Sequence, residues 1–381
     1  MIVPKLIAVL LRGLLKYAQI MGIVYFRVKN TDVLNVSWLK WISVIIRLIT
    51  VSIFAYDYFL IVLGKKWIIL KVILGMRLIL CIPSNCLIME FQIFRGSEVI
   101  ELVKNFLKMF RKVKKLCRRQ EMGFRAKWEL FLILTIACIM PHEALYILAF
   151  RASPQWNFQD VRTIFFNGYI TMGTNVFLHI NFLVYLSFGF LYSELNKYIF
   201  KNLMPLLQDQ GLQSDPRQMR KLRRKLERCF NLYRDIFTVN TVYQRFFQLP
   251  LALGLVHKIM LTGSVAYVLV IERKFQSFWM IAIIFKHIYD LLLLTYSVQR
   301  AVTESSIIRL VNFETFGVSS LKEFRILLDT FYTYLNLNKF RVCILGLFDV
   351  SNRLFLLVLS AIISWLVFVI QYGLQMGHSW N

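Results

Sequence analysis

Acidic residues are scarce in this sequence: its 381 residues include 21 Asp and Glu against 46 Lys and Arg, a formal net charge of +25. Such an excess suggests nucleic-acid binding when basic residues cover a polar fold, but here they sit between long apolar runs. Catalytic signatures are lacking too, since no Walker loop, nucleophile elbow, metal-ligating histidine pair or dinucleotide fingerprint occurs. The six cysteines are scattered and match neither a disulfide framework nor a zinc site. We therefore expect no enzyme, no cofactor or metal, and no nucleic-acid partner.

Apolar residues are abundant instead, at 58% of the chain with a mean hydropathy of +0.58, compared with roughly 45–50% in soluble domains. A transmembrane helix needs about 20 mostly apolar residues. Seven windows qualify: 41–63, 67–93, 128–150, 163–190, 244–270, 278–300 and 350–373. The fifth window is weakened by Pro250 and Lys258, and the second by Lys71, Arg77, Pro83 and Glu90. Six spans therefore remain an alternative. The sequence predicts an all-α membrane protein of seven transmembrane helices, residues 41–373.

The distribution of Lys and Arg between the windows predicts their orientation. The segments on one side carry 32 of these residues, and the connections on the other side carry six. Because basic loops stay in the cytoplasm, the amino terminus is expected inside and, with seven spans, the carboxyl terminus outside. The cytoplasmic side then contains residues 1–40, 94–127, 191–243 and 302–349, and the extracellular tail is residues 374–381.

The predicted cytoplasmic segments are expected to be helical. In the first, Arg12 and Lys16 interrupt an apolar run that lacks a small-residue cleavage site, which indicates a retained helix in or dipping into the inner interface, not a signal peptide. In residues 94–127, apolar positions recur at three- and four-residue steps, as on one face of a helix. We expect the third, fifth and seventh spans to continue inward as helices that pack on one another.

Ionisable residues inside the windows are costly in a bilayer and need partners. Lys286 and Asp290 lie one helical turn apart and can pair directly. Arg47 and Asp57 are too far apart for that, so their partners must lie on other spans unless their side chains reach the interfaces.

Polar and aromatic residues also gather in the outer halves of the predicted spans, where they could line a small-molecule pocket. An aromatic belt and hydrogen bonds between helices explain any single one of them better, so only the group as a whole favours a pocket. Its members are His142, Glu143, Tyr146, Asn167, Tyr169, Thr171, Tyr267 and Trp279.

The last window is free of charge from Leu354 onward and carries one amide, Gln371, near its outer end. Such an amide can join helices or face a pore, and the residues alone leave both open. The window resembles the signature of the insect gustatory receptors, which is Thr-Tyr, five apolar residues and Gln-Phe. Here Ser364-Trp365, LVFVI and Gln371-Tyr372 keep that spacing. The lead-in 343–349, residues 226–247 and the stretch YAQIMGIVYF are also similar to that family.

The resemblance implies a tastant-gated nonselective cation channel in the plasma membrane of sensory neurons. Its partners would be a small-molecule tastant, membrane lipids and related subunits in a homo- or heterotetramer, with a lean towards bitter or other non-sugar ligands. The seventh helices would line the pore, with Val367, Ile370, Gln371 and Tyr372 at or beside the gate. The inward extensions of the helices would form a cytoplasmic anchor region that holds the subunits together. The outer-half group would then be the ligand pocket.

Three alternatives remain. The insect olfactory receptors share this architecture, but the Gln371-Tyr372 ending favours the gustatory branch. A G-protein-coupled receptor would have its amino terminus outside and a proline in its last helix, whereas no proline follows Pro250. A secondary transporter would show broken helices at matching positions in two halves, which this sequence does not.

Overall fold

The computed structural model describes residues 2–29, 32–64, 68–117, 127–139, 158–208, 216–271, 278–310 and 322–375. The α-helices are α1 Ile2–Ile20, α2 Ser37–Gly64, α3 Ile68–Ile93, α4 Gly96–Leu116, α5 Lys127–Ile139, α6 Phe158–Tyr198, α7 Met204–Gln208, α8 Pro216–Ile271, α9 Phe278–Ser306, α10 Lys322–Leu337 and α11 Asn352–Gln375. A π-helical turn, Ile199–Leu203, joins α6 to α7, and a 3-10 turn, Ile307–Leu310, follows α9. Two antiparallel pairs of strands complete these elements: β1 Phe26–Lys29 with β2 Asp32–Asn35, and β3 Cys343–Ile344 with β4 Phe348–Asp349.

Five of these helices, α2, α3, α6, α8 and α9, are long and apolar enough to cross a membrane. A helix suits this task because it satisfies its backbone hydrogen bonds internally, where lipid offers no partners. The third predicted window begins in α5, and its residues 140–150 lie outside the described part of the chain. The seventh lies in α11, whose apolar described stretch is the shorter Asn352–Phe368. The protein is therefore a helical membrane protein, while the number of spans and their orientation remain predictions.

Helix α8 is much longer than a bilayer requires. Helix α8 has 56 residues and continues through Pro250, which makes it ~84 Å long at 1.5 Å per residue. Its first half packs against the amphipathic helix α4, whose Met109 and Val113 are buried. The two helices are also joined by Lys112 Nζ and Asp235 Oδ2, 2.6 Å apart. The helical structure of α4 agrees with the periodicity of residues 94–127.

Helix α6 lies at the centre of the bundle. In its most apolar stretch 78% of the residues are buried, against 39% for the peripheral helix α2. It packs most extensively on α9 and also contacts α2, α3 and α8. The polar side chains of α6 therefore meet partners from several helices. Many of the buried side-chain hydrogen bonds of the bundle involve α6.

The turn that follows α1 enters the bundle between α2, α3 and α6. Arg47 Nη2 in α2 donates to the Met21 carbonyl oxygen at 2.6 Å, and the Tyr169 hydroxyl in α6 lies 3.3 Å from the same oxygen. Gln92 in α3 donates to the carbonyl of Gly22, a residue with φ of +64° that suits glycine.

Tyr25 ties the same segment to the beginning of α4. Its hydroxyl donates to the Gly96 carbonyl oxygen at 2.9 Å. Burial raises the pKa of Tyr25 to about 12, so the hydroxyl remains a proton donor at physiological pH. Helix α1 itself packs along α5. The amino-terminal segment is thus an integral part of the helical bundle and not a separate arm.

Candidate functional site

Arg77 of α3 gathers polar side chains from two other helices. Its Nη2 donates to Asn167 Oδ1 at 2.7 Å and to Thr171 Oγ1 at 3.2 Å, both in α6. Its Nη1 donates to the Tyr58 hydroxyl of α2 at 3.2 Å, and the guanidinium carbon lies 5.5 Å from the centre of that ring. We call Tyr58, Arg77, Asn167 and Thr171 the Arg77 site. The structure therefore brings two of the predicted pocket residues together, around a cation that the sequence marked only as a weak point of the second window.

A second polar contact lies one helical turn further along α3. Cys81 Sγ is 3.5 Å from His257 Nδ1 in α8, and both residues are 1% exposed. The other ring nitrogen of His257 has no hydrogen-bond partner among the described residues. Polar contacts of α3 therefore continue from the Arg77 site to α8 through Cys81 and His257.

Asp57 and Arg162 form an ion pair between α2 and α6. The two oxygens of Asp57 lie 2.5 and 3.1 Å from Arg162 Nη2 and Nε, a two-point contact, and the carboxylate is 1% exposed. Arg47 likewise finds its partners outside its own helix, because it donates to Asn85 of α3. The prediction that Arg47 and Asp57 pair with other elements is confirmed.

Asp290 of α9 is the centre of a buried ionic cluster. One carboxylate oxygen lies 2.6 Å from Lys258 Nζ in α8, and the other lies 3.0 Å from His179 Nε2 in α6. Lys258 also donates to Asn175 Oδ1 in α6 at 2.6 Å. The expected contact of Asp290 with Lys286 exists, but at 4.0 Å it is longer than the contacts with Lys258 and His179. The main partner of Asp290 is thus a residue on another helix, and the cluster joins α6, α8 and α9.

The other predicted pocket residues are less fully described. His142, Glu143 and Tyr146 lie outside the described residues. For Tyr267 in α8 and Trp279 in α9 the structure describes the backbone alone. Tyr169 contacts Arg47 and the Met21 carbonyl and takes no part in the contacts of the Arg77 site.

Helix α11 has one face packed on the bundle and one exposed face. Val358 and Ile362 are buried, and Trp365 packs against the backbone of α8 at Gly263. The exposed residues recur at three- and four-residue steps: Leu356, Ser360, Ile363, Val367 and Gln371. Ser364 is also exposed, and for Ile370 and Tyr372 the backbone alone is described. Two of the predicted gate residues, Val367 and Gln371, therefore lie on a face that no other described element covers.

The Arg77 site combines a guanidinium, an amide and two hydroxyls. Small-molecule sites typically combine a few directed polar groups of this kind with apolar walls. No group of three or more metal-ligating side chains occurs in the described ranges.

Comparison with known proteins identifies the family of the chain. Residues 11–376 match the family model described as 7tm Chemosensory receptor. The chain is 37% identical to "Putative gustatory receptor 92a" of Drosophila melanogaster over 98% of its own length and 97% of the relative's. It is 32% identical to "Putative gustatory receptor 93b" of the same fly, over 98% and 95%. It also aligns with "Gustatory receptor for bitter taste 93a" of that species, at 22% identity over 73% and 69%. The chain belongs to the insect gustatory receptor family of seven-transmembrane chemosensory receptors.

Proposed function

We propose that this receptor is a tastant-gated nonselective cation channel, working as a homo- or heterotetramer in the plasma membrane of sensory neurons. The observation that carries the proposal is the exposed apolar face of α11 that ends at Gln371. A long apolar face left open on a membrane helix needs either lipid or other protein beside it. Four such helices around an axis would form a narrow apolar pore with a ring of amides.

The topology that suits this channel has seven spans, with the amino terminus inside and the carboxyl terminus outside. The excess of Lys and Arg in residues 1–40, 94–127, 191–243 and 302–349 supports it. The long inner part of α8 and its packing on α4 supply the proposed anchor region. The tail 374–381 would be extracellular.

The closed gate would be formed by Val367, Ile370, Gln371 and Tyr372. Apolar constrictions stop ions by excluding water, and widening the ring restores hydration. We infer that the tastant favours the arrangement in which the α11 helices stand further apart, so that binding shifts the population towards the open state. The contact of Trp365 with Gly263 would transmit movement of α8 to α11.

The ligand would bind at the Arg77 site. His142, Glu143, Tyr146, Tyr267 and Trp279 would complete its walls. The guanidinium and amide suit a ligand with hydrogen-bond acceptors. We infer a bitter or other non-sugar tastant, because one relative is named as a receptor for bitter taste.

The experiment expresses the full chain with an epitope at each terminus and compares antibody access in intact and permeabilised cells. An inside amino terminus and an outside carboxyl terminus are expected, and the reverse would exclude the channel topology. Currents are then recorded during a tastant screen. Substitution Gln371→Ala should change rectification or resting current, whereas Gln218→Ala, an exposed amide at the start of α8, should not. If the receptor reaches the plasma membrane and no tastant changes its conductance, the ion-channel mechanism is excluded.

A further inference from the structure

His287 of α9 is a buried histidine whose hydrogen-bonding capacity is unused. It is 1% exposed, and neither of its ring nitrogens has a hydrogen-bond partner within the described part of the chain. A buried polar group without a partner costs about 1–3 kcal/mol, and native structures rarely leave both sides of an imidazole unmatched. The ring is therefore suited to a partner that is not part of the protein.

A cavity lies beside this ring, between α8, α9 and α11. Its polar wall consists of Lys258, Thr262 and His287, and its other walls are apolar side chains such as Phe355 and Ile362 of α11. The free space measures about 10 Å³, which is roughly the room needed by one water molecule. The cavity shares no residue with the Arg77 site, which is formed by α2, α3 and α6.

The chemistry of the polar wall selects the ligand. Lys258 is engaged by Asp290 and Asn175, and Thr262 Oγ1 donates its hydrogen to the Lys258 carbonyl oxygen at 2.8 Å. A neutral imidazole presents one donor and one acceptor. A carboxylate or an ammonium would bring a charge, which the apolar walls penalise. A hydroxyl is uncharged, and it can pair with whichever ring nitrogen faces the cavity, by donating to the bare nitrogen or by accepting from the N–H.

We propose that His287 is a binding site for a hydroxyl group, supplied by water or by an aliphatic alcohol, in the cavity between α8, α9 and α11. Water fills the free space as it stands. An alcohol places its hydroxyl against His287 and its alkyl chain among the apolar walls, which requires α11 to move away from α8. This consequence rests on the proposed channel mechanism: by displacing α11, membrane-soluble alcohols would act on the helix that carries Gln371.

The test measures binding and not current. Full-length receptor in lipid nanodiscs is irradiated with an octanol that carries a diazirine, and the labelled peptides are identified by mass spectrometry. Labelling on α9 and α11 is expected, and excess 1-octanol should prevent it. Substitution His287→Leu, which removes both polar atoms, should lower this labelling by about tenfold, as loss of one buried hydrogen bond implies. His287→Gln, which keeps a donor and an acceptor, should retain most of it.

The matched control is His257→Leu. This histidine is equally buried and also has an unpaired ring nitrogen among the described residues, but it faces Cys81 of α3. Its loss should leave the labelling of α9 and α11 unchanged. If His287→Leu does not fold, His287→Ala replaces it, and the same loss of labelling relative to His287→Gln is required.

The remaining outcomes separate the two sources of the hydroxyl. Absence of labelling, together with one ordered water beside His287 in a high-resolution cryo-EM map, assigns the site to water. The proposal is overturned if His287→Leu is labelled as strongly as wild type, or if neither label nor ordered water is found beside position 287. Because no step requires ion conduction, a receptor that fails as a channel would still give a clear answer here.

Discussion

The indole of Trp365 in α11 packs against the backbone of α8 at Gly263, where an added Cβ would stand 3.3 Å from its Cζ3 atom. Trp365 occupies a position where the gustatory signature has Tyr, and the larger ring fits because the facing residue lacks a side chain. Small residues such as glycine let neighbouring membrane helices approach each other closely. The pair is therefore a direct mechanical contact between α8 and the proposed pore helix.

A side chain at position 263 should separate these two helices. A Cβ at 3.3 Å is tight but tolerable, so Gly263→Ala should change little, whereas the branched side chain of Gly263→Val should force the indole to move. Overpacking of this kind costs typically about 1–3 kcal/mol. We expect a lower melting temperature for purified Gly263→Val and a changed resting current. In the matched control, Gly75→Val in α3, the new atoms enter open space. Equal melting temperatures for the two valine variants would show that the contact is unimportant.

Replacement of Arg77 should weaken tastant binding. A lysine keeps the charge but cannot reach Tyr58 and Asn167 with two separate nitrogens as the guanidinium does. We expect Arg77→Lys to raise the half-maximal tastant concentration about tenfold, since a lost charged hydrogen bond is worth about 1.5–3 kcal/mol. Lys71→Ala, which removes an exposed charge from the same helix, should leave it unchanged. A dose–response series on each variant measures this. An unshifted curve for Arg77→Lys would place the ligand elsewhere.

The buried charges show which part of the site could be predicted from the sequence. The cost of an ion in lipid predicts that Arg47, Asp57 and Asp290 have partners, and all three have partners in the structure. The identity of those partners depends on which helix faces meet. A spacing of four residues is visible in the chain, so Lys286 was the expected partner of Asp290, whereas the nearer Lys258 lies on another helix.

The fold could be predicted from the sequence to about the same extent as the site. Apolar runs and helical periodicity locate helices such as α2, α4 and α9, because burial and backbone hydrogen bonding depend on local sequence. The turn at Met21 and Gly22 was not predicted, since its partners come from three distant helices. The imidazole of His287, unpaired among the described residues, could not be predicted for a related reason: a single histidine in an apolar helix carries no periodic signal.

The turn after α1 should be sensitive to the residue at position 22. Gly22 has φ of +64°, and an added Cβ would stand 3.1 Å from the Cβ of Ser43. A side chain is disfavoured by that backbone conformation and also by the contact, so Gly22→Ala should lower the free energy of unfolding by about 1–2 kcal/mol. Gly13→Ala is the matched control, because position 13 lies within helix α1 and faces open space. It should be neutral or stabilising, by up to about 1 kcal/mol.

Thermal unfolding of the two alanine variants in detergent measures this difference. A Gly22→Ala receptor as stable as Gly13→Ala would mean that the turn is free to leave the bundle. Trypsin cleavage near Arg27 provides a second reading, because loosening of the turn should accelerate it in Gly22→Ala alone.

The ionic cluster of Lys258 and Asp290 should behave as a unit. Asp290→Asn leaves two buried ammonium groups, Lys258 and Lys286, without the carboxylate that lies 2.6 and 4.0 Å from them. Removing one partner of a buried pair typically costs about 3–5 kcal/mol, so this variant should fold poorly or melt much earlier. Lys258→Met should also destabilise, because it leaves Asp290 with His179 and Lys286 alone.

The double variant distinguishes a coupled pair from two independent residues. If Lys258 and Asp290 stabilise the bundle through each other, the double variant Lys258→Met/Asp290→Asn should lose less stability than the two single losses combined, with a coupling energy of about 1–3 kcal/mol. Melting temperatures of the four receptors in one detergent supply the cycle. The exposed pair of Lys112 and Asp235 is the control cycle, in which about 0–1 kcal/mol is expected. Strict additivity at Lys258 and Asp290 would mean that their close approach contributes no coupling, and that each side chain acts through its other partners, Asn175 for Lys258 and His179 for Asp290.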